Sequence, residues 1–182
     1  MTTSTSSKLN IAVIGGGLIG PRHAQTVLKN PHTSLIALVD PAPHAAQLAA
    51  TLQISHYTSI TSLLSSTHRP DAAIICTPNN THVPLALELI AAGVPVLVEK
   101  PIATTIESGV RLIEAAKQKG VALLVGHHRR FNPYLLAAKK AVDEGSLGRV
   151  IAVQGMWCLK KPDAYFDGIG EWRRGESGGV VL

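Results

Sequence analysis

Cysteine is nearly absent from this sequence: there are two in 182 residues, Cys76 and Cys158, far apart, the first inside an apolar run. That number and spacing exclude a disulfide framework and a cysteine-based metal cluster and suit a reducing compartment, so a cytoplasmic protein is expected. Aromatic residues are scarce too, at 4%, which leaves a core of Ala, Val, Leu and Ile, the usual filling between helices and strands. No apolar run approaches the roughly 18 residues a membrane span needs, and the opening M-T-T-S-T-S-S-K-L-N is a polar tail without an apolar signal core. Charged residues are few, 16% against 46% hydrophobic, so a buried core is feasible and disorder throughout is excluded. A chain of this length holds one full domain, or one domain with part of another.

What charge there is leans positive, with a formal net charge of +5. The basic residues are scattered in short clusters, H-H-R-R at 127–130, K-K at 139–140 and 160–161, and R-R at 173–174. A nucleic-acid face gathers its charge on one surface, often with stacking aromatics, so no nucleic-acid partner is expected. An acidic or phosphorylated small ligand accounts for the surplus equally well.

Strand-like apolar runs recur, each followed by a helical pattern. Strands are predicted at 11–14, 35–39, 72–76, 94–98 and 121–125, with a short segment near 56–57. Helices are predicted over 18–29, 45–52, 83–92 and 106–119, and I-T-S-L-L at 60–64 follows the short segment. Continuous runs, rather than alternating ones, imply strands covered on both faces, and strand-helix alternation then implies an α/β, doubly wound parallel sheet of the Rossmann type. Gly93 and Gly120 fall just past helical runs, where a left-handed C-cap belongs. After Val125 the character changes: residues 131–144 look like an amphipathic helix and 148–157 like a strand that starts something new. Three parts are therefore expected: a disordered tail at 1–8, the doubly wound domain at 9–126, and a linker helix with an incomplete second α+β domain at 127–182.

I-A-V-I-G-G-G-L-I-G at 11–20 places Gly15, Gly17 and Gly20 in the G-x-G-x-x-G spacing, directly after a strand and at the opening of a helix. Gly15 permits the tight turn, Gly17 lets a pyrophosphate approach the backbone, and Gly20 allows close helix-strand packing, with Leu18 and Ile19 in the same turn. The helix N-terminus adds free N–H groups and a positive dipole end. Glycine spacing alone specifies little, but the second strand ends in Asp40, about 20 residues past the glycines, where this fold sets a carboxylate on the adenine ribose. Asp40 would repel a 2′-phosphate and no Arg follows between Pro41 and Ala45, so the cofactor is read as NAD in preference to NADP. The plainer alternative is that Asp40, before Pro41, begins a turn.

C-T-P-N-N-T-H at 76–82 follows the 72–76 strand at the carboxyl edge, where open parallel sheets bind ligands. Thr77 and Asn79 can bond ribose or phosphate there, with His82 opening the next helix, although Asn79 or Thr81 can equally be an N-cap. The run V-P-V-L-V-E-K-P at 94–101 ends on the same edge. Pro101 restricts the backbone of Lys100, which is either half of a surface pair with Glu99 or a cation placed at a reactive centre.

G-x-G-x-x-G, T-P-N and E-K-P in this order, with H-H-R-R-F-N at 127–132 and E-W-R-R at 171–174, resemble the Gfo/Idh/MocA family of glucose-fructose oxidoreductases and inositol 2-dehydrogenases. The resemblance implies a nicotinamide-dependent oxidoreductase acting on sugars, inositols or related polyols. It implies that Lys100 is catalytic, positioning the substrate hydroxyl and moving its proton, with Glu99 near the nicotinamide ribose. It sets His127, Arg129, Arg130, Trp172 and Arg173 around the nicotinamide or substrate, while a basic surface helix is the alternative for the arginines. Members have a second domain that supplies a His and an Asp after a Gly-Gly segment. S-G-G-V-V-L at 177–182 reaches that segment and ends, so the chain is expected to be truncated in its C-terminal domain. It is then weakly active, completed by a second subunit, or a catalytically silent nucleotide- or partner-binding protein. A lone strand at 148–157 would expose its edges, so self-association is expected as well.

Overall fold

The computed structural model describes residues 7–175. The first six residues of the N-terminal tail and the Gly-Gly segment at 177–182 lie outside the described residues.

Six parallel strands, β1 (Leu9–Ile14), β2 (Thr33–Val39), β3 (Ser55–Tyr57), β4 (Ala72–Ile75), β5 (Val96–Val98) and β6 (Leu123–Val125), form one sheet in the order β3-β2-β1-β4-β5-β6. The helices are α1 (Gly20–Lys29), α2 (Pro43–Leu52), α3 (Ile60–Leu64), α4 (His82–Ala91), α5 (Ile106–Lys119) and α6 (Pro133–Asp143). Strand order reverses between β1 and β4, and at such a switch point the two adjoining loops diverge and leave a crevice beyond the strand ends.

Side chains of a strand point alternately to the two faces, and β1 shows what that does. Ala12 and Ile14 join the core under α3, α4 and α5, whereas Ile11 and Val13 join the core under α1 and α2. In β2 the register slips by one residue, so that Ile11 opposes Leu35 but Ala12 opposes Ala37. The slip keeps Leu35 and Leu38 on the α1–α2 side and Ala37 and Val39 on the other. Gly93 and Gly120 have φ of +78° and +66°, the left-handed geometry expected beyond their helices. Thr105 caps α5 by accepting a hydrogen bond from the Ser108 N–H at 3.2 Å, and Leu112 and Ala116 anchor that helix in the core.

The structure corrects two expectations. Both-face coverage holds in the middle of the sheet but fails at β5 and β6, where an apolar groove of about 220 Å³ lies between α1 and the strands and Leu124 is 59% exposed. The strand expected at 148–157 does not form, since among the described residues no strand lies beside it to satisfy its backbone. The segment from 160 to 175 contains two 3-10 helices, Asp163–Phe166 and Gly168–Arg174. The helix expected at 131–144 is α6, opened by Asn132, whose Oδ1 accepts the Tyr134 N–H at 2.9 Å, with Pro133 in its first turn.

Candidate functional site

The carboxyl ends of the strands open onto a cleft of about 1020 Å³. At its centre is the turn from β1 into α1. Gly15 has φ +101°, and a Cβ there would come within 3.0 Å of the backbone of Cys76 and the methyl of Thr77. Gly20 is tighter still: a Cβ would lie 2.0 Å from the Gly15 carbonyl oxygen. Gly17 differs from both, because a Cβ on it would meet nothing within 4 Å. The protein's own packing thus demands glycine at 15 and 20 but not at 17, where the bare backbone faces the cleft and leaves room for a ligand to approach. No side chain caps the N-terminus of α1, but Pro21 carries no N–H and the Arg22 N–H donates to the Ile19 carbonyl at 3.0 Å, so the N–H groups this end offers an anion are those of the turn from Gly17 to Gly20. These features fit a dinucleotide, whose phosphates would be held by the Gly15–Gly20 turn.

At one end of the cleft, Asp40 accepts from the Gly16 N–H through Oδ2 at 2.7 Å and from the Ala42 N–H through Oδ1 at 2.8 Å. Each carboxylate oxygen keeps a lone pair for a further donor, and Asp40 faces the cleft together with His44. The turn after β4 contributes Thr77 and Asn79. The Thr81 hydroxyl lies 2.6 Å from the Pro78 carbonyl and 2.7 Å from the Thr77 hydroxyl, which braces the turn.

The opposite end is built on the turn after β5. Glu99 Oε1 accepts a hydrogen bond from His23 Nε2 at 2.9 Å, and Glu99 Oε2 accepts the Lys100 N–H at 3.1 Å. Behind the carboxylate the backbone of Gly126 packs so closely that a Cβ would lie 3.1 Å from Glu99 Oε1. Burial pushes the Glu99 carboxyl up, but the His23 hydrogen bond, the Lys100 N–H and the nearby charges of His23 and Lys100 together outweigh it and hold the group below the ordinary carboxylate range. Lys100 extends into the cleft and is exposed; among the described residues its ammonium has no carboxylate partner. Its peptide bond to Pro101 is cis.

His82 is 1% exposed and joins the two turns: Nε2 lies 2.8 Å from the Thr77 carbonyl oxygen and Nδ1 lies 2.7 Å from that of Pro101. Both ring nitrogens are therefore occupied by backbone, which gives His82 a bracing position behind the cleft wall. Cys76 lies in the same wall; burial, reinforced by the charge of Glu99, pushes its thiol well up and makes it a poor nucleophile.

Leu18, Ile19, Trp172 and Arg173 also line the cleft, as does His127. Gly20 lies beneath the turn. Arg129 is elsewhere, its guanidinium stacked over the Trp157 ring at 4.0 Å, and neither it nor Arg130 is among the lining residues. Three contributors went unpredicted. His23 lies 76 positions from the Glu99 it contacts, and nothing local marks it. Lys161 and Tyr165 belong to the 160–175 segment that folds across the cleft, and their only signal was an aromatic-basic composition in a chain poor in aromatics.

Residues 9–127 match the oxidoreductase family with an NAD-binding Rossmann fold. Inositol 2-dehydrogenase 2 of Saccharopolyspora erythraea is 36% identical over 151 residues, a stretch that covers 81% of this chain and 44% of that protein. Among solved structures, the WlbA dehydrogenase of Bordetella pertussis in complex with NADH and UDP-GlcNAcA superposes with a TM-score of 0.76 at 31% identity, covering 80% of this chain and 42% of its own. Scyllo-inositol dehydrogenase of Lactobacillus casei, with bound NAD(H) and scyllo-inositol, gives 0.73 at 25% identity, with coverages of 78% and 43%. The chain thus spans less than half the length of these relatives. The match over the sheet and its ligand-facing turns shows that this chain belongs to the Gfo/Idh/MocA oxidoreductase family.

Proposed function

We propose that this chain binds NAD and serves hydride transfer between the nicotinamide and a CH–OH group of a sugar, inositol or related polyol. The observation that carries the reading is a single cleft lined at one end by Asp40, in the middle by the Gly15–Gly20 turn, and at the other end by Glu99 and Lys100. Bound NAD would supply the hydride acceptor. The Gly15–Gly20 turn and the N-terminus of α1 hold the pyrophosphate, while Asp40 receives the adenine-ribose hydroxyls and disfavours a 2′-phosphate. Thr77, Asn79, Leu18 and Ile19 complete the wall. Held by His23, Glu99 stays ionised and accepts from the nicotinamide ribose. Lys100 donates to the oxygen of the reacting hydroxyl, lowers its pKa and steadies the negative charge that grows as the C–H bond gives up its hydride. Trp172 and Arg173 close the reactive end.

The domain division falls at 126/127, with 127–182 opening a second domain, and the protein works in the cytoplasm as a self-associating chain or beside a completing subunit. No described helix is long and apolar enough to cross a membrane. A second reading, a catalytically silent nucleotide-binding protein, is favoured by one observation: among the described residues no acid-base partner is hydrogen-bonded to the Lys100 ammonium.

NADH formation across a panel of polyols separates the two. The dehydrogenase reading expects turnover that falls by about 10²–10⁴-fold in Lys100→Ala; tight NAD binding with no turnover on any member of the panel sinks it. In the same titrations, NADPH binding more tightly than NADH would overturn the role given to Asp40.

A further inference from the structure

Beyond Asp40 the cleft is bounded by residues to which the hydride-transfer reading gives no role. The Asp40 N–H donates to the Tyr57 carbonyl at 2.9 Å, so the turn after β3 begins beside this carboxylate. Thr58 and Ile60, which follow in the chain, line the cleft, as does Leu85 of α4. Ile60 is buried, and Leu85 packs against the same core cluster. Walls of this kind suit the flat face of a base. One further carboxylate stands among them. Glu88, about one turn beyond Leu85 on α4, lines the cleft, and its Oε1 accepts the Thr61 hydroxyl at 2.8 Å. Thr61 belongs to α3, so this bond ties two helices together and fixes the direction of the carboxylate. Among the described residues, no hydrogen bond reaches Glu88 Oε2 and no cation pairs with it.

A carboxylate offers acceptors only, so an oriented one beside an apolar slot selects a ligand edge that carries a donor. In a nucleotide the base is attached to the ribose carbon next to the one bearing the 2′-hydroxyl. A ribose held at Asp40 therefore sends its base toward this slot. We propose that Glu88 is a specificity-determining residue that accepts the exocyclic amine of adenine, with Thr61 as its positioning residue, so that the site separates adenine from a base with a carbonyl at that place. The proposal rests on the reading that a dinucleotide lies in the cleft with its ribose on Asp40. Hypoxanthine carries such a carbonyl, whose lone pairs would meet those of the carboxylate. A polar site left without its matching partner penalises the wrong ligand, and the Thr61 bond keeps Glu88 from turning aside.

The test is isothermal titration calorimetry of the full 182-residue chain with NADH and with reduced nicotinamide hypoxanthine dinucleotide, which differs only in the base. ADP-ribose and its hypoxanthine counterpart are titrated in parallel, because they keep the base and ribose but lack the nicotinamide. The expected result is that each adenine compound binds about tenfold more tightly than its hypoxanthine partner. Glu88→Gln is expected to bring the two bases within about twofold of each other, since an amide offers both a donor and an acceptor. Thr61→Val keeps the carboxylate but frees its direction, and is expected to shrink the preference by about two- to threefold. Equal affinity for the two bases in the unmodified chain overturns the proposal, and so does a preference that survives intact in Glu88→Gln. Either result, with NADH still bound, leaves the hydride-transfer reading standing. An adenine preference among the ADP-ribose pair without any NADH binding would do the opposite, supporting the role of Glu88 and removing the nicotinamide. Binding of none of the four compounds would remove both.

Discussion

Glu99 is a half-buried carboxylate whose charge is supported by donors from two directions, and His23 is the one that can be removed without touching the β5 turn. Its carboxyl is held below its unfolded value of about 4.3, so the unfolded state takes up the proton first as pH falls. The stabilisation is complete above that unfolded value and drains away as pH drops through the lower native one. His23→Ala removes the leading opposing influence and leaves burial in place. The variant is expected to lose about 1–2 kcal/mol at neutral pH, with the gap to the unmodified protein narrowing through the acid window. Urea midpoints at neutral pH and near pH 4 measure this; a gap of constant size would remove the Glu99 assignment. Glu99, Lys100 and Asp40 were legible in the sequence because each ends a recognisable apolar strand. His23 was not, since its partner lies across the sheet switch point and a histidine in the first turn of a helix announces nothing.

Among the elements, α1 depends on a contact with no slack. A methyl at position 20 would overlap the Gly15 carbonyl at 2.0 Å, so Gly20→Ala must lift the helix away from the turn. The expected cost is about 1–3 kcal/mol together with weakened NADH binding, because the N–H groups that face the phosphates move with the helix. Thermal or urea unfolding and an NADH fluorescence titration read the two effects; unchanged values for both would deny that the turn and helix are packed as described. Apolar runs bounded by turn residues revealed five of the six strands, the exception being β3, whose Ser-His-Tyr is no apolar run, and α5 spans the residues its pattern predicted, 106–119. The one-residue slip in β2 could not be read, because it depends on which strand lies alongside and not on the residues of β2 themselves. Segment 148–157 failed for the complementary reason: β-branched residues such as Val150, Ile151 and Val153 favour a strand only when a partner supplies the ladder.

At the scale of the whole molecule, Ile151, Val153, Met156 and Trp157 are between 69% and 88% exposed, and α6 buries none of its residues. Exposed apolar side chains in such number favour association, so the weight-average mass by light scattering is expected to rise with concentration, and Ile151→Lys combined with Val153→Lys to suppress the rise. A monomer at all concentrations would count against the self-associating form of the proposal. The strand order carries another consequence, one of assembly. β1 lies at the centre of the sheet between β2, its sequence neighbour, and β4, which comes only at Ala72–Ile75. The first half of the sheet can therefore form early in synthesis, but the turn at Gly15 finds its backing only when Cys76 and Thr77 arrive to pack against it. The nucleotide cradle is a seam between an early and a late part of the chain, and a molecule bound along it touches both. Occupancy of that seam would then stabilise the joined sheet by mass action, making the ligand a fastener of the fold as well as its cargo.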